Sequence, residues 1–155
     1  MDAPIVWRWR RFSELSPGEL YAVLAARSEI FVVEQQCHFL DADGFDQYAW
    51  HLLGWSGEPR MLAAYLRLID PGHKFTEPSI GRVLTTATFR NCGLGRAAMH
   101  EGMRHARACY PGCAVRISAQ ARLERFYVEL GFHSVSEPYQ EDGIAHIDML
   151  KPAGD

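Results

Sequence analysis

Apolar residues recur along this chain with two different periods, and the changes of period mark its elements. From Ile5 to Arg10 apolar and polar residues alternate, with Trp7 and Trp9 among them, which predicts a strand. After Ser16-Pro17-Gly18-Glu19 the spacing turns helical through Leu20, Val23, Leu24, Arg27, Ile30 and Phe31. Ser16 can cap that helix, Pro17 suits its first position, and Glu19 completes a capping box. The helix is expected to fray near Val32-Val33-Glu34-Gln35. Strands are predicted over Trp50–Trp55 and Met61–Ile69, joined by the turn Ser56-Gly57-Glu58-Pro59-Arg60, and again over Ile80–Thr86. Gly95–Cys109 reads as a helix with Ala98, Met99, Gly102, Met103 and Ala106 on one face, ended by Tyr110-Pro111-Gly112. Ala114–Ala119 is strand-like, and Gln120–Leu130 is helical up to Gly131, a C′ glycine. His133–Ser136 and His146–Leu150 close the chain as strands, with Glu141-Asp142-Gly143 as a turn between them.

The two stretches 36–49 and 71–78 read as loops. Asp41, Asp43, Gly44 and Asp46 invite a calcium reading, but the twelfth-position carboxylate and flanking helices of an EF-hand are missing, so a solvated turn is expected. The order of elements predicts an α/β fold of one domain, 1–155. Its sheet is mixed, because the hairpin is antiparallel and a helical crossover favours parallel pairing.

Composition removes some function classes. A net charge of −3 leaves no excess of cations to neutralise nucleic-acid phosphates. No apolar run approaches the ~20 residues of a membrane span. The start Met-Asp-Ala-Pro-Ile-Val-Trp-Arg-Trp-Arg has no apolar leader, and Cys37, Cys92, Cys109 and Cys113 form no Cys-x-x-Cys pair. Free thiols in a reducing cytoplasm are the expectation. The seven histidines are too dispersed for a metal motif, so no metal is expected.

Chemistry concentrates in Arg90-Asn91-Cys92-Gly93-Leu94-Gly95-Arg96, between a strand and a helix. Glycines let backbone approach a ligand, and a helix start offers unpaired N–H groups and the positive end of its dipole. Together they form a phosphate cradle. Gly93-Leu94-Gly95-Arg96-Ala97-Ala98 also fits the dinucleotide fingerprint. That reading needs an acid at the end of the next strand, where Ser118-Ala119-Gln120 has none. A P-loop is excluded because Gly-Lys-Ser/Thr is absent.

Arg-x-x-Gly-x-Gly between strand and helix resembles motif A of the GNAT acyltransferases, and Gln120 to Phe132, closing in Tyr-x-x-x-Gly-Phe, resembles their motif B. Phe31-Val32-Val33-Glu34-Gln35, Ile80-Gly81-Arg82-Val83, Ala119-Gln120-Ala121 and Glu141 to Met149 are similar to the ElaA-type branch. The resemblance implies a GNAT fold with a mixed, mostly antiparallel sheet of six to seven strands, splayed between Ile80–Thr86 and Ala114–Ala119. It implies acetyl-CoA as acyl donor and the amine of a small molecule or peptide as acceptor, with a homodimer as a further possibility and no nucleic-acid or membrane partner. Val83, Leu84 and Thr85 would pair with the pantetheine amides. The N–H groups of Asn91, Cys92, Gly93, Leu94, Gly95 and Arg96 would hold the pyrophosphate, with Arg90 and Arg96 adding charge.

The family reaction is direct attack of an amine on a thioester. Tyr127 matches the motif B tyrosine that protonates the leaving thiolate in many members; the alternative is that it only packs against the cofactor thiol. Many members also carry an asparagine where Gln120 stands and a glutamate on the preceding strand, where residues 114–118 hold no acid. The general base therefore comes from elsewhere: Glu34 at the end of the first helix, His51 at the start of a strand, or Asp142 and His146 near the C-terminus. The expected function is N-acetylation in a ternary complex. The rival is an acyl-CoA-binding regulatory protein without turnover.

Overall fold

The computed structural model describes residues 4–154. Strand β1 (Val6–Arg11) leads to helix α1 (Pro17–Arg27), which opens on the expected capping box: the Ser16 side chain accepts from the Glu19 N–H, and Glu19 accepts from the Ser16 N–H. Strands β2 (Ala49–Ser56), β3 (Met61–Ile69) and β4 (Ser79–Thr85) precede helix α2 (Leu94–Cys109). Strand β5 (Val115–Gln120), the short helix α3 (Glu124–Glu129), and strands β6 (His133–Ser134), β7 (Tyr139–Glu141) and β8 (Ile144–Lys151) complete the chain.

All eight strands join one sheet in the order β1-β2-β3-β4-β5-β8-β6, with β7 also on β8. The expectation of six to seven strands is thus corrected to eight. The additional strand, Tyr139-Gln140-Glu141, is exposed throughout and lacks apolar alternation, so no sequence period marks it. Every pairing is antiparallel except β4 with β5.

Strand alternation sorts the core into two layers. On one face Leu52, Leu66 and Leu68 pack with Ala98, Met99 and Met103 of α2. On the other, Leu53, Tyr65 and Leu84 pack with Val23 and Ala26 of α1 and with Ile30. Helix α2 lies so close to β3 that a Cβ on Gly102 would stand 2.8 Å from Leu66 Cδ2, which is why glycine occupies that position.

Two expectations need correction. The first helix does not fray at Val32–Gln35; it continues as a π-helical segment over Ser28–Glu34, and the Cys37 N–H donates to the Val32 carbonyl at 3.0 Å. The wider turn carries Phe31, Glu34 and Gln35 to the wall of the cleft described below.

The aspartates of the 36–49 loop do not form a solvated turn. Asp41 and Asp46 are buried among three arginines. Arg27 donates to Asp41 at 2.9 Å and Asp46 at 2.7 Å. Arg67 donates to Asp43 at 2.8 Å and Asp46 at 2.9 Å, and Arg82 to Asp41 at 2.8 Å and Asp43 at 3.2 Å. The loop pattern looked solvated because the three arginines come from α1, β3 and β4, distant in sequence and adjacent only in the fold.

Breaking one partner of such a buried group leaves an uncompensated charge. Asp46→Ala and Arg27→Met are each expected to lower the unfolding free energy by about 3–5 kcal/mol in urea titrations. Burial opposes ionisation of Asp43 and Asp46, but Arg27, Arg67 and Arg82 overcome it and hold both carboxylates below their ordinary range. Their stabilisation is therefore complete above the unfolded carboxylate pKa of ~3.9 and is lost as pH falls below it through the folded values. Stability measured by urea is expected to decline on acidification below about pH 5, with a shallower slope in Asp46→Ala.

Candidate functional site

Strands β4 and β5 run parallel but are in register at only one point, Ser79 opposite Arg116. The Arg116 N–H donates to the Pro78 carbonyl at 3.0 Å at the same closed end. Beyond it the two strands separate. Each is paired on its far side, β4 with β3 and β5 with β8. The inner edges from Ile80 to Thr85 and from Ile117 to Gln120 thus face a wedge-shaped cleft with free backbone groups.

A bulge tunes the β4 edge. Tyr65 opposes Leu84 and Arg67 opposes Gly81, so β4 carries one residue more than β3 between these pairs. Arg82 lies there with φ +52°, a conformation that L residues rarely adopt. Its guanidinium is tied to Asp41 and Asp43, so the charged group of the loop fixes the bulge.

The cleft has a volume of about 380 Å³. Val83, Leu84, Thr85, Arg90, Gln120, Tyr127 and Glu34 all line it, brought together from β4, the loop after it, β5, α3 and the end of the first helix. Tyr127 is 7% exposed and packs edge-on against Phe126 and Phe132, with centroids at 5.0 and 5.9 Å. Burial pushes its phenol up to about 12, so it stays protonated through the neutral range. Gln120 donates to the Gln35 side chain at 3.2 Å and accepts from Arg122 at 3.1 Å.

Glu34 and Arg90 form a two-pronged ion pair at 2.8 and 3.0 Å on the rim. The Arg90 hydrogen bond holds the Glu34 carboxylate below its ordinary range, which makes it a weaker base. Both side chains are open to water, so the pair is screened and easily exchanged.

Leu94, Gly95 and Arg96 form the first turn of α2 behind Gly93, whose φ of +78° favours glycine. Among the described residues no side chain caps that turn, and a Cβ on Gly93 or Gly95 would meet no atom within 4 Å beyond its chain neighbours and the helix's own backbone. Asn91 also takes a left-handed φ of +64°, and the Cys92 thiol donates to the Phe89 carbonyl. Arg96 turns away from the cradle: it pairs with Glu129 at 2.8 Å and lies over the Phe126 ring.

His51 is corrected. It does not reach the cleft: it is 1% exposed, Nδ1 is 2.6 Å from the Tyr65 hydroxyl, and Nε2 is 3.0 Å from the Asp46 carbonyl. Burial lowers its pKa, and both nitrogens are occupied, so it braces the Arg–Asp cluster. Its position at a strand start carried no sign of which face it would take.

His146, Glu141, Asp142, Lys74 and Arg82 also line the cleft. Here the β7–β8 hairpin meets the loop after the first helix, and the Cys37 thiol donates to the Asp142 carbonyl at 3.0 Å. His146 Nδ1 lies 2.8 Å from the Ile144 carbonyl, which can only accept, so that nitrogen bears the proton and Nε2 is left as acceptor. Glu141 Oε2 stands 3.6 Å from Nε2. Sequence reasoning missed Lys74 and Arg82; nothing in a loop lysine or a strand arginine separates a cleft wall from a solvated surface.

Residues 60–152 match the acetyltransferase (GNAT) domain family. A UPF0039 protein of Synechocystis sp. is 44% identical over 146 residues, 94% of each chain. Protein ElaA of Escherichia coli is 38% identical over 149 residues, 95% of this chain and 96% of its own. The structure of an acyl-CoA N-acyltransferase from Pseudomonas aeruginosa superposes with a TM-score of 0.90 at 38% identity, covering 96% of this chain and 99% of that one. Escherichia coli ElaA superposes at 0.88 and 37% identity with the same coverage. Sequence and fold agree over nearly the whole chain, and the protein belongs to the GNAT acetyltransferase family, alongside the ElaA and UPF0039 proteins.

Proposed function

We propose that this chain is one transferase domain that moves an acetyl group from acetyl-CoA to a primary amine by direct attack in a ternary complex. The observation that carries the reading is the wedge between β4 and β5, with free strand edges on both walls and the Tyr127 phenol lining it. The fit of the donor rests on two features. The β4 edge at Val83, Leu84 and Thr85 presents peptide groups to pantetheine amides, as a sheet edge presents them to a strand. The uncapped first turn of α2, with Gly93 and Gly95 leaving room for close approach, suits a pyrophosphate. Arg90 and Arg96, each freed from an exposed pair with Glu34 and Glu129 respectively, supply charge at the same end.

The donor supplies an activated thioester, and the residues of this chain manage protons around it. Tyr127 donates a hydrogen bond to the sulfur as it takes on charge. Complete transfer from a phenol near 12 to a thiolate of solution pKa ~8.5 is uphill, so solvation of the thiolate is the chief contribution. His146, with Nε2 as acceptor, takes the proton lost by the attacking amine, and Glu141 faces the charge the imidazole then acquires. Glu34, on the water-exposed rim, is the rival base, and Arg90 weakens its basicity only while their pair is intact.

Thiol release from acetyl-CoA across an amine panel, with calorimetry of acetyl-CoA binding, tests the function; binding with no release on any amine would support the regulatory alternative. Tyr127→Phe is expected to lower kcat by about 10²-fold with acetyl-CoA binding retained. His146→Gln is expected to remove the acid limb of the kcat/KM profile. Glu34→Gln is expected to keep that limb, and its loss there would transfer the base role to Glu34.

A further inference from the structure

The Arg–Asp group under the cleft wall is balanced: Arg27, Arg67 and Arg82 face Asp41, Asp43 and Asp46, and each aspartate contacts two arginines. Lys74 is a further cation lining the cleft, contributed by the loop between β3 and β4. It is partly buried, and it makes no hydrogen bond or ion pair among the described residues; the neighbouring contact of its ammonium is the Phe75 ring at 5.6 Å. The charges around it are Glu141, Arg67, Arg82 and Asp43, of which the two arginines and Asp43 already satisfy one another. Burial lowers the Lys74 pKa and the two arginines lower it further, with Glu141 and Asp43 opposing. A lysine taken out of water without a partner is costly to keep charged, and an anion bound beside it removes that cost.

Lys74, Glu141 and His146 all line the cleft, and Glu141 stands 3.6 Å from His146 Nε2. We infer that the acceptor is zwitterionic, an amine that carries a carboxylate a few bonds away, with the carboxylate seated on Lys74 and the amine delivered towards His146. This rests on the transferase reading above and adds the substrate class to it. A carboxylate on an ammonium forms a charge-assisted hydrogen bond, while the amine end meets Glu141 and Asp142. A diamine or polyamine would instead place a second cation against Lys74, which disfavours it.

Amine pairs that differ only in the carboxylate test this: L-lysine against cadaverine, and β-alanine against ethylamine. Each is assayed by thiol release from acetyl-CoA and by calorimetric binding to the CoA-loaded protein. The carboxylate member of at least one pair is expected to win by about tenfold in kcat/KM and in affinity, the scale of one charge-assisted contact. In Lys74→Met that ratio is expected to collapse towards one, and in Lys74→Arg to persist. Because the ratio is internal to each variant, loss of folded protein does not imitate the result. A ratio of one or below in the wild type, or a ratio unchanged in Lys74→Met, overturns the inference. Carboxylate-dependent binding without thiol release on any amine would sustain the Lys74 site and overturn the transferase reading instead.

Discussion

The cleft depends on one electrostatic constraint, the alternation of Arg27, Asp41, Arg82, Asp43, Arg67 and Asp46 beside it. Arg27 and Arg67 are almost wholly removed from water, at 0% and 1% exposure, and each would be untenable there alone. Their mutual satisfaction fastens α1, β3 and β4 to a loop that has almost no regular structure of its own. His51 and Tyr65 extend the polar core outward, joined by a 2.6 Å hydrogen bond, and burial raises the phenol of Tyr65. The loop aspartates thus add a charged layer beside the apolar packing of Leu53, Tyr65 and Leu84 on Val23, Ala26 and Ile30.

That constraint reaches the chemistry through Arg82. The side chain that completes the charged group belongs to the residue at the β4 bulge, held at φ +52°. A left-handed residue needs surroundings that over-determine it, and two aspartates supply them. The edge of Val83, Leu84 and Thr85 beyond the bulge then faces the wedge instead of pairing with β5. The wedge itself follows from topology. The strand β5 is fully engaged by β8 on its far side and meets β4 only at Ser79–Arg116, so nothing draws the two inner edges together.

Much of this was legible from local pattern. The capping box at Ser16–Glu19, the strand Met61–Ile69 and the apolar face of α2 formed where their periods indicated, because each is set by neighbours within a turn or a pleat. Gly93 and Gly95 marked a tight helix start, and the Tyr127 segment marked the lining of the cleft. Other features lacked any local sign. Tyr139–Glu141 forms a strand only because the edge of β8 is available to pair with it. The π-helical segment Ser28–Glu34 has an ordinary helical sequence, and its closure on Cys37 depends on where the following loop is anchored.

The sequence by itself determined the layered α/β order, the glycine-led start of α2, and the family to which the chain belongs, since these arise from short-range spacing of apolar, glycine and capping residues. Only the tertiary structure decided which charges meet. It took His51 out of the cleft, clamped Glu34 with Arg90, oriented His146 through the Ile144 carbonyl, and left Lys74 lining the cleft without a partner among the described residues. The physical reason is that a charge has no periodicity. Its partner is fixed by distance in space and by how much water remains between the two, and both are set only when distant strands and loops have come together.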